Sequence, residues 1–402
     1  MRKRSKHRIA IIGAGLAGLS AAYHLRDEAE VTIFEREDRI GGRVLTSKQP
    51  PGEHGAEFFL KSEGSIRSLL KELSVPIEEI DKDPAYLIGR RPAHGYPQEI
   101  VKELLPAQAA CLRHVFGTNG SSLYNEPFDQ WLARETKRDS KAIRFIRMLL
   151  AGETCAPTNH ISTQYGLECL QSVVDKKEQW YRIQGGADTL VNACEQKLRE
   201  RILRGTQVSK VEPINDQVKV HWDVKGRATR KLFDTAIIAT PDGEYLLDMP
   251  PQIHFHAYIS VLLSCSNVSW KTKRNVDLKD GLYTLSPLGY IQEVTKNAAN
   301  LRVIRILMPN ADLKMPWQEK QIKDFCMSNL RRIGLIIASP QWSIKKWQFG
   351  LPCGGQNKKY ERITPRVYLA GDRFGKWPSM NTAITSGKSA ANAVVKQFKL
   401  HN

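Results

Sequence analysis

The sequence predicts an α/β fold in which a parallel sheet, assembled from separated stretches of the chain, is interleaved with a second, α+β domain. Three observations carry this. The first 35 residues read strand, glycine turn, helix, strand. Short apolar runs that suit buried parallel strands recur far along the chain, at 233–239 and 367–370. Helical and mixed segments lie between them. A length of 402 residues suits two domains.

Taken in order, residues 8–12 form an apolar run ending at glycine, which marks a buried strand. Leu16, Leu19, Ala22 and Tyr23 share helical spacing over 16–26. A second apolar run, 31–34, stops at Glu35, completing a βαβ start. Residues 62–73 suit a helix with Ser62 as N-cap and Ile66, Leu69 and Leu70 on one face. Residues 102–150 are rich in helix formers, broken at Asn125-Glu126-Pro127, and 187–203 read as another amphipathic helix. Strands are expected at 207–211, 218–222 and 233–239, with turns at Asn215-Asp216 and Lys225-Gly226. Apolar runs at 257–264 and 301–308, a helix at 318–332, a strand at 367–370 and a helix at 382–398 complete the reading.

The glycine turn carries chemistry. Gly13-Ala14-Gly15-Leu16-Ala17-Gly18 is G-x-G-x-x-G placed between a strand and a helix. The first glycine permits the tight turn, the second lets a pyrophosphate approach the backbone, and the third lets helix and strand pack closely. Helix N-termini favour anions through their free N–H groups. Glu35 ends the second strand, where a carboxylate can accept the ribose hydroxyls of an adenosine. This is a Rossmann-type dinucleotide site. The next block, Arg39-Ile40-Gly41-Gly42-Arg43, suits a backbone and guanidinium clamp on a pyrophosphate and a flavin.

With His54-Gly55-Ala56-Glu57-Phe58-Phe59 following, the chain resembles the flavin-containing amine oxidoreductase superfamily. That group spans monoamine and polyamine oxidases, protoporphyrinogen oxidase, phytoene desaturase-like enzymes and renalase. Arg182 to Leu190, Ala239-Thr240-Pro241, Tyr368 to Asp372 and the helix from Ala383 are similar to later blocks of the same family. The resemblance implies FAD as cofactor. Gly13, Gly15, Ala17 and Gly18 would hold the pyrophosphate and Glu35 the ribose. Arg36, Gly42 and Arg43 would lie along the dinucleotide, and Ala56, Glu57 and Phe58 near the flavin. Val208 would hold the adenine. Gly371 and Asp372 would bind the ribityl or phosphate region, and Met380, Asn381, Thr382 and Ala383 would offer backbone N–H groups to the flavin. The domains implied are an FAD-binding domain of residues 1–80, 181–245 and 355–402, and a substrate-binding domain of 81–180 and 246–354.

The chain departs from the family pattern in places. The lysine that the oxidases carry on a substrate-domain strand is absent from 256–263. The aromatic position before the last helix falls at Ser379, with Trp377 two residues earlier, and Thr382-Ala383 replaces a glycine-alanine pair. Cys353 is poorly spaced for a flavin linkage, so the FAD is expected to be non-covalent. Residues 345–352 are similar to a block of renalase-type members, which also lack the lysine. No second G-x-G-x-x-G follows a strand, so the expected acceptor is O2 or a quinone. Aromatic candidates for a substrate pocket are Tyr258, Trp347, Phe374 and Trp377.

The function expected is therefore hydride transfer from a small organic substrate (an amine, amino acid or biosynthetic intermediate) to flavin N5. Alternatives are oxidation of reduced nicotinamides, a carotenoid- or porphyrin-type desaturation, and a flavin-fold partner subunit without catalysis. Lys and Arg total 60 against 42 Asp and Glu, a net charge of +18. Such charge also suits nucleic-acid binding. The basic residues, however, are scattered among acids without interleaved aromatics, so no specific nucleic acid is expected. Seven cysteines without a Cys-x-x-Cys pair suit reduced thiols and a cytoplasmic setting. His254-Phe-His256 has no third ligand nearby, and no metal is expected. Arg2-Lys3-Arg4 before an apolar stretch mimics a secretory leader, but the glycines, Tyr23-His24 and Arg26-Asp27-Glu28 argue for strand, turn and helix instead. No run approaches the ~18 apolar residues a membrane span needs.

Overall fold

The structure is a computed structural model. It describes residues 6–80, 85–88, 91–94, 122–135, 141–174, 178–224, 226–266, 268–270, 282–284, 290–296, 302–308, 317–354, 356 and 358–400.

A six-stranded sheet gathers distant parts of the chain in the order Ile202–Leu203, Glu30–Phe34, Arg8–Ile12, Thr235–Ile238, Val367–Leu369, Glu361–Thr364. All pairs are parallel except the last, which is antiparallel. Ile9 aligns with both Val31 and Thr235, which places the first strand centrally. A parallel strand covered on both faces must be apolar throughout, and Ile9, Ala10, Ile11 and Ile12 are all buried. The helix Leu16–Leu25 is buried on nearly every side, with His24 the one half-exposed residue. It packs between the sheet and the helices Asp188–Leu198 and Met380–Leu400. Its approach to the last helix requires glycine: a Cβ on Gly387 would lie 2.0 Å from the Ala17 carbonyl oxygen.

A seven-stranded sheet draws on other stretches. Its order is Gln341–Pro352, Phe255–Cys265, Arg302–Met308, Tyr290–Lys296, Leu282–Thr284, Ala85–Ile88, Arg91–His94. Side chains alternate along the strand Phe255–Cys265. Ile259, Val261 and Leu263 join Ile322, Cys326 and Leu330 of the helix Glu319–Ile333 in one core. Tyr258, on the other face, joins Leu307, Trp347 and the helical core around Trp131, Ile146, Leu149 and Tyr165. That second face bounds the site described below.

Several expectations are corrected. The helix foreseen over 187–203 ends at Leu198, and Ile202–Leu203 instead becomes the sheet's edge strand beside Ile33 and Phe34. The run 233–239 breaks at Asp234. Phe233 closes the antiparallel strand Arg227–Phe233, while Thr235–Ile238 enters the parallel sheet. Asp234 accepts the Arg8 N–H at 2.8 Å, so it staples the break to the first strand. The helix foreseen from Ser62 starts at Gly64, and its N-terminal N–H groups of Ser65 and Ile66 donate to Asn381 Oδ1 at 2.9 and 3.1 Å. The helical stretch 102–150 is described from Ser122 onward, as Ser122–Asn125, Phe128–Glu135 and Lys141–Thr154. Residues 102–121 lie outside the described residues. Among the described residues no helix is long and apolar enough to cross a membrane.

Candidate active site

A cavity of ≈ 570 Å3 is bordered by strand ends of the six-stranded sheet and by one face of the seven-stranded sheet. Its first wall is the glycine turn. Gly13 has φ +97°, which suits glycine, and a Cβ there would lie 2.9 Å from Thr240 Cγ2. Gly15 meets Gly41 in a lone parallel bridge, and Gly41 N–H donates to the Ala14 carbonyl at 2.8 Å. A Cβ on Gly42 would lie 3.2 Å from Gly15 Cα. Two backbones therefore converge with no side chain between them. The helix Leu16–Leu25 has no side-chain cap at Gly15, so its first N–H groups open toward this cradle. The cradle fits a pyrophosphate. Glu35 sits beside it, its Oε2 accepting the Ala14 N–H at 2.8 Å and its Oε1 the Glu37 N–H at 2.9 Å. Arg36 stands 4.0 Å from Asp242. Val208, Thr206 and Gln207 border the same part of the cavity.

The middle of the cavity is tied together by ion pairs. Arg43 donates from Nη1 to Asp372 Oδ2 at 2.7 Å and from Nη2 to Oδ1 at 2.5 Å, and Nη1 also donates to the Gly350 carbonyl at 2.7 Å. Asp372 holds the Arg43 guanidinium in its charged form against the cost of burial. Arg305 donates to Glu57 Oε2, with both side chains buried. Glu57, just before the strand Phe58–Leu60, meets Arg305 midway along the strand Arg302–Met308 of the seven-stranded sheet. Arg305 escaped the sequence reading, although a single arginine inside the apolar run 301–308 is a recognisable signal.

The far end is an aromatic chamber of Tyr165, Tyr258, Leu307, Trp347 and Trp377, with Cys155 and Cys169. Trp347 Nε1–H donates to the His54 carbonyl at 2.8 Å, fixing the indole. His54 is buried 3.2 Å from Ser260 Oγ and 2.9 Å from Ser343 Oγ. Burial, then Arg305 and Lys345, lower its pKa to about 4, so the ring is neutral at pH 7. Burial pushes the Cys155 thiol up to about 12 and raises Tyr165 and Tyr258 above the usual phenol range. These three side chains stay protonated at neutral pH, so none is a thiolate or phenolate base.

Most of the sequence-derived residues converge on this cavity: Gly13, Gly15, Ala17, Glu35, Arg36, Gly42, Arg43, Ala56, Glu57, Phe58, Val208, Tyr258, Trp347, Gly371, Asp372, Trp377, Met380 and Ala383 line it. Four do not. Gly18 faces the strand, where a Cβ would lie 1.9 Å from the Gly13 carbonyl oxygen. Phe374 is buried among Ile12, Phe34, Val208 and Leu369 in the core beneath the sheet. Asn381 spends its side chain on the N-terminus of the helix Gly64–Glu72. Thr382 donates from Oγ1 to the Trp377 carbonyl at 2.8 Å, and its N–H is taken by Ser379 Oγ at 3.1 Å. The Ala383 N–H is likewise taken, by the Ser379 carbonyl at 3.0 Å. These backbone donors are therefore engaged within the chain. Cys353 lies off the cavity wall. His256 Nδ1 lies 3.5 Å from His160 Nδ1, and among the described residues no three metal-ligating side chains converge.

Residues 16–395 match the model of the flavin containing amine oxidoreductase family, and the chain belongs to that family. FAD is its cofactor. The chain is 22% identical over 324 residues to an L-amino-acid oxidase of Pseudechis australis, covering 67% of this chain and 60% of that protein. It is 24% identical over 468 residues to an L-amino-acid oxidase of Naja atra, covering 97% and 88%. The matched region thus spans about three fifths of the first relative's length. The fold is that of cyclohexylamine oxidase from Brevibacterium oxydans IH-35A, at a TM-score of 0.77 and 17% identity, covering 98% of this chain and 100% of that one.

Proposed function

We propose that the chain is an FAD-dependent oxidoreductase that takes a hydride from a small organic substrate (an amine, amino acid or biosynthetic intermediate) and passes the electrons to O2 or a quinone. The observation that carries this reading is the continuity of one cavity from the glycine cradle and Glu35 to the aromatic chamber. FAD, when bound, supplies the hydride acceptor. The chain's own residues do the rest. The Gly15 and Gly42 backbones and the uncapped helix end receive the pyrophosphate. Glu35 accepts from the ribose hydroxyls. Tyr258, Trp347 and Trp377 exclude water and orient the donor carbon. A neutral amine needs no strong base to release a hydride, which suits a chamber whose thiol and phenols stay protonated. The domain division 1–80, 181–245 and 355–402 against 81–180 and 246–354 follows the membership of the two large sheets. The position of Cys353 off the cavity wall supports a non-covalent FAD.

The test is turnover by the FAD-loaded protein across amines, amino acids and reduced nicotinamides, with O2 or a soluble quinone as acceptor. Donor consumption coupled to peroxide or quinol formation supports the proposal. Bound FAD with no consumption of any donor overturns it and favours a partner subunit without catalysis.

A further inference from the structure

Five cations stand on the cavity wall among the described residues: Arg36, Arg43, Arg305, Lys345 and Lys346. Four have oxygen partners. Arg36 faces Asp242, Arg43 holds Asp372, Arg305 holds Glu57, and Lys346 Nζ donates to the Trp317 carbonyl. Lys345 differs. Its ammonium lies 4.9 Å from the centroid of the Trp347 ring, and no carboxylate of the described residues pairs with it.

Its placement follows from strand register. On the edge strand Gln341–Pro352, Ser343, Lys345 and Trp347 share one face by alternation. Lys345 stands opposite Ser260, and Trp347 opposite Tyr258, on the neighbouring strand. Lys345 and Trp347 of that face line the aromatic chamber, while Ser343 and Ser260 hold the His54 ring. The His54 ring behind it is neutral and offers no counter-charge. A half-buried ammonium against an indole, inside a largely apolar chamber, is attracted to an incoming anion more strongly than the same charge in water. The cation–π contact orients it without neutralising it.

We propose that Lys345 receives a carboxylate of the substrate, which narrows the substrate class to amino acids or similarly small amino carboxylates. This rests on the reading that the cavity holds FAD and an oxidisable donor. Tyr258 and Trp347 then form the surroundings of the carboxylate, and the donor carbon lies on the chamber side of it.

The experiment titrates the FAD-loaded protein with benzoate and, separately, with benzyl alcohol, following perturbation of the flavin absorbance. The variants are Lys345→Met and Lys345→Arg, each first checked for FAD content and thermal midpoint. The expected result is benzoate binding that weakens at least tenfold in K345M, equivalent to about 1.4 kcal/mol. K345R should retain most of it, and benzyl alcohol should bind all three forms alike. Equal benzoate affinity in wild type and K345M overturns the proposal. So does a K345M form in which only flavin reoxidation slows while reduction by amino carboxylates is unchanged. A protein whose flavin no donor reduces defeats the broader functional reading instead, and that failure is seen in the wild type alone.

Discussion

Arg43 and Asp372, 329 positions apart in sequence, are joined by two parallel hydrogen bonds of 2.7 and 2.5 Å. The pair ties the glycine block after the second strand to the end of the strand Val367–Leu369. It also sits on the wall between the cradle and the aromatic chamber. A two-point guanidinium–carboxylate pair fixes orientation as well as distance.

Breaking this pair leaves one buried charge uncompensated. Asp372→Asn or Arg43→Met alone should cost about 3 kcal/mol of stability. The double variant should cost less than the sum of the two. Urea midpoints for the four forms check this, and strict additivity would contradict a direct coupling.

The cradle makes two predictions that separate packing from binding. Gly18→Ala places a Cβ against the Gly13 carbonyl and should destabilise the protein by about 1–3 kcal/mol through overpacking. Glu35→Gln leaves the fold largely intact but should weaken FAD retention about tenfold, as expected on losing hydrogen bonds to a charged acceptor. Flavin content after dialysis reads the second effect. Unchanged content in E35Q refutes the role given to Glu35.

Glu53 supplies a pH prediction. Burial raises its carboxyl pKa from 4.5 to about 7, while its Oε1 accepts the Ala187 N–H at 2.9 Å. The folded chain therefore keeps a proton that the unfolded chain releases above pH 4.5. Its contribution to stability is fully present below about pH 4.5 and is lost as pH rises toward 7, by up to about 3 kcal/mol. Glu53→Gln should flatten that slope in denaturation midpoints between pH 4.5 and 7.5. An unaltered slope contradicts the assignment.

His54 acts in the opposite sense. Its folded pKa of about 4 lies below the ordinary 6.5, so the unfolded chain binds the proton first as pH falls. Stability from this site is present above pH 6.5 and is lost between 6.5 and 4. His54→Asn, tested over that range, should lose less stability on acidification than wild type.

The net charge of +18 bears on substrate choice. Polycations are repelled at low ionic strength, and Lys345 adds an unneutralised positive charge inside the chamber. Spermidine should be a poor substrate, with any turnover improving as salt screens the repulsion. Efficient spermidine oxidation at low salt contradicts this.

The cofactor end of the site was legible because glycine spacing states a backbone requirement directly. Gly13 and Gly42 stand where φ is positive and a Cβ would crowd a neighbour, at 2.9 and 3.2 Å, and sequence shows where such residues fall relative to strands. The chamber was only partly legible. Tyr258, Trp347 and Trp377 were found as aromatics, but Phe374 has the same chemistry and packs in the core. Asn381 reads as a donor near a ligand, yet it caps a helix more than 300 residues earlier, a pairing that no local pattern reports. Arg305 and Lys345 were missed because their roles depend on which strand neighbours which. Alternation along 341–352 puts Lys345 and Trp347 on one face, but only the register with Tyr258 and Ser260 places that face at the chamber.

The most direct test of the central claim, that one cavity joins an FAD cradle to a substrate chamber, is anaerobic titration of the purified protein with small L-amino acids and neutral amines while flavin absorbance is followed. The account predicts tightly held FAD whose oxidised absorbance bleaches with at least one of these donors and returns on admitting O2 or a quinone. A protein that binds no FAD, or whose bound FAD keeps its oxidised absorbance with every donor, contradicts it.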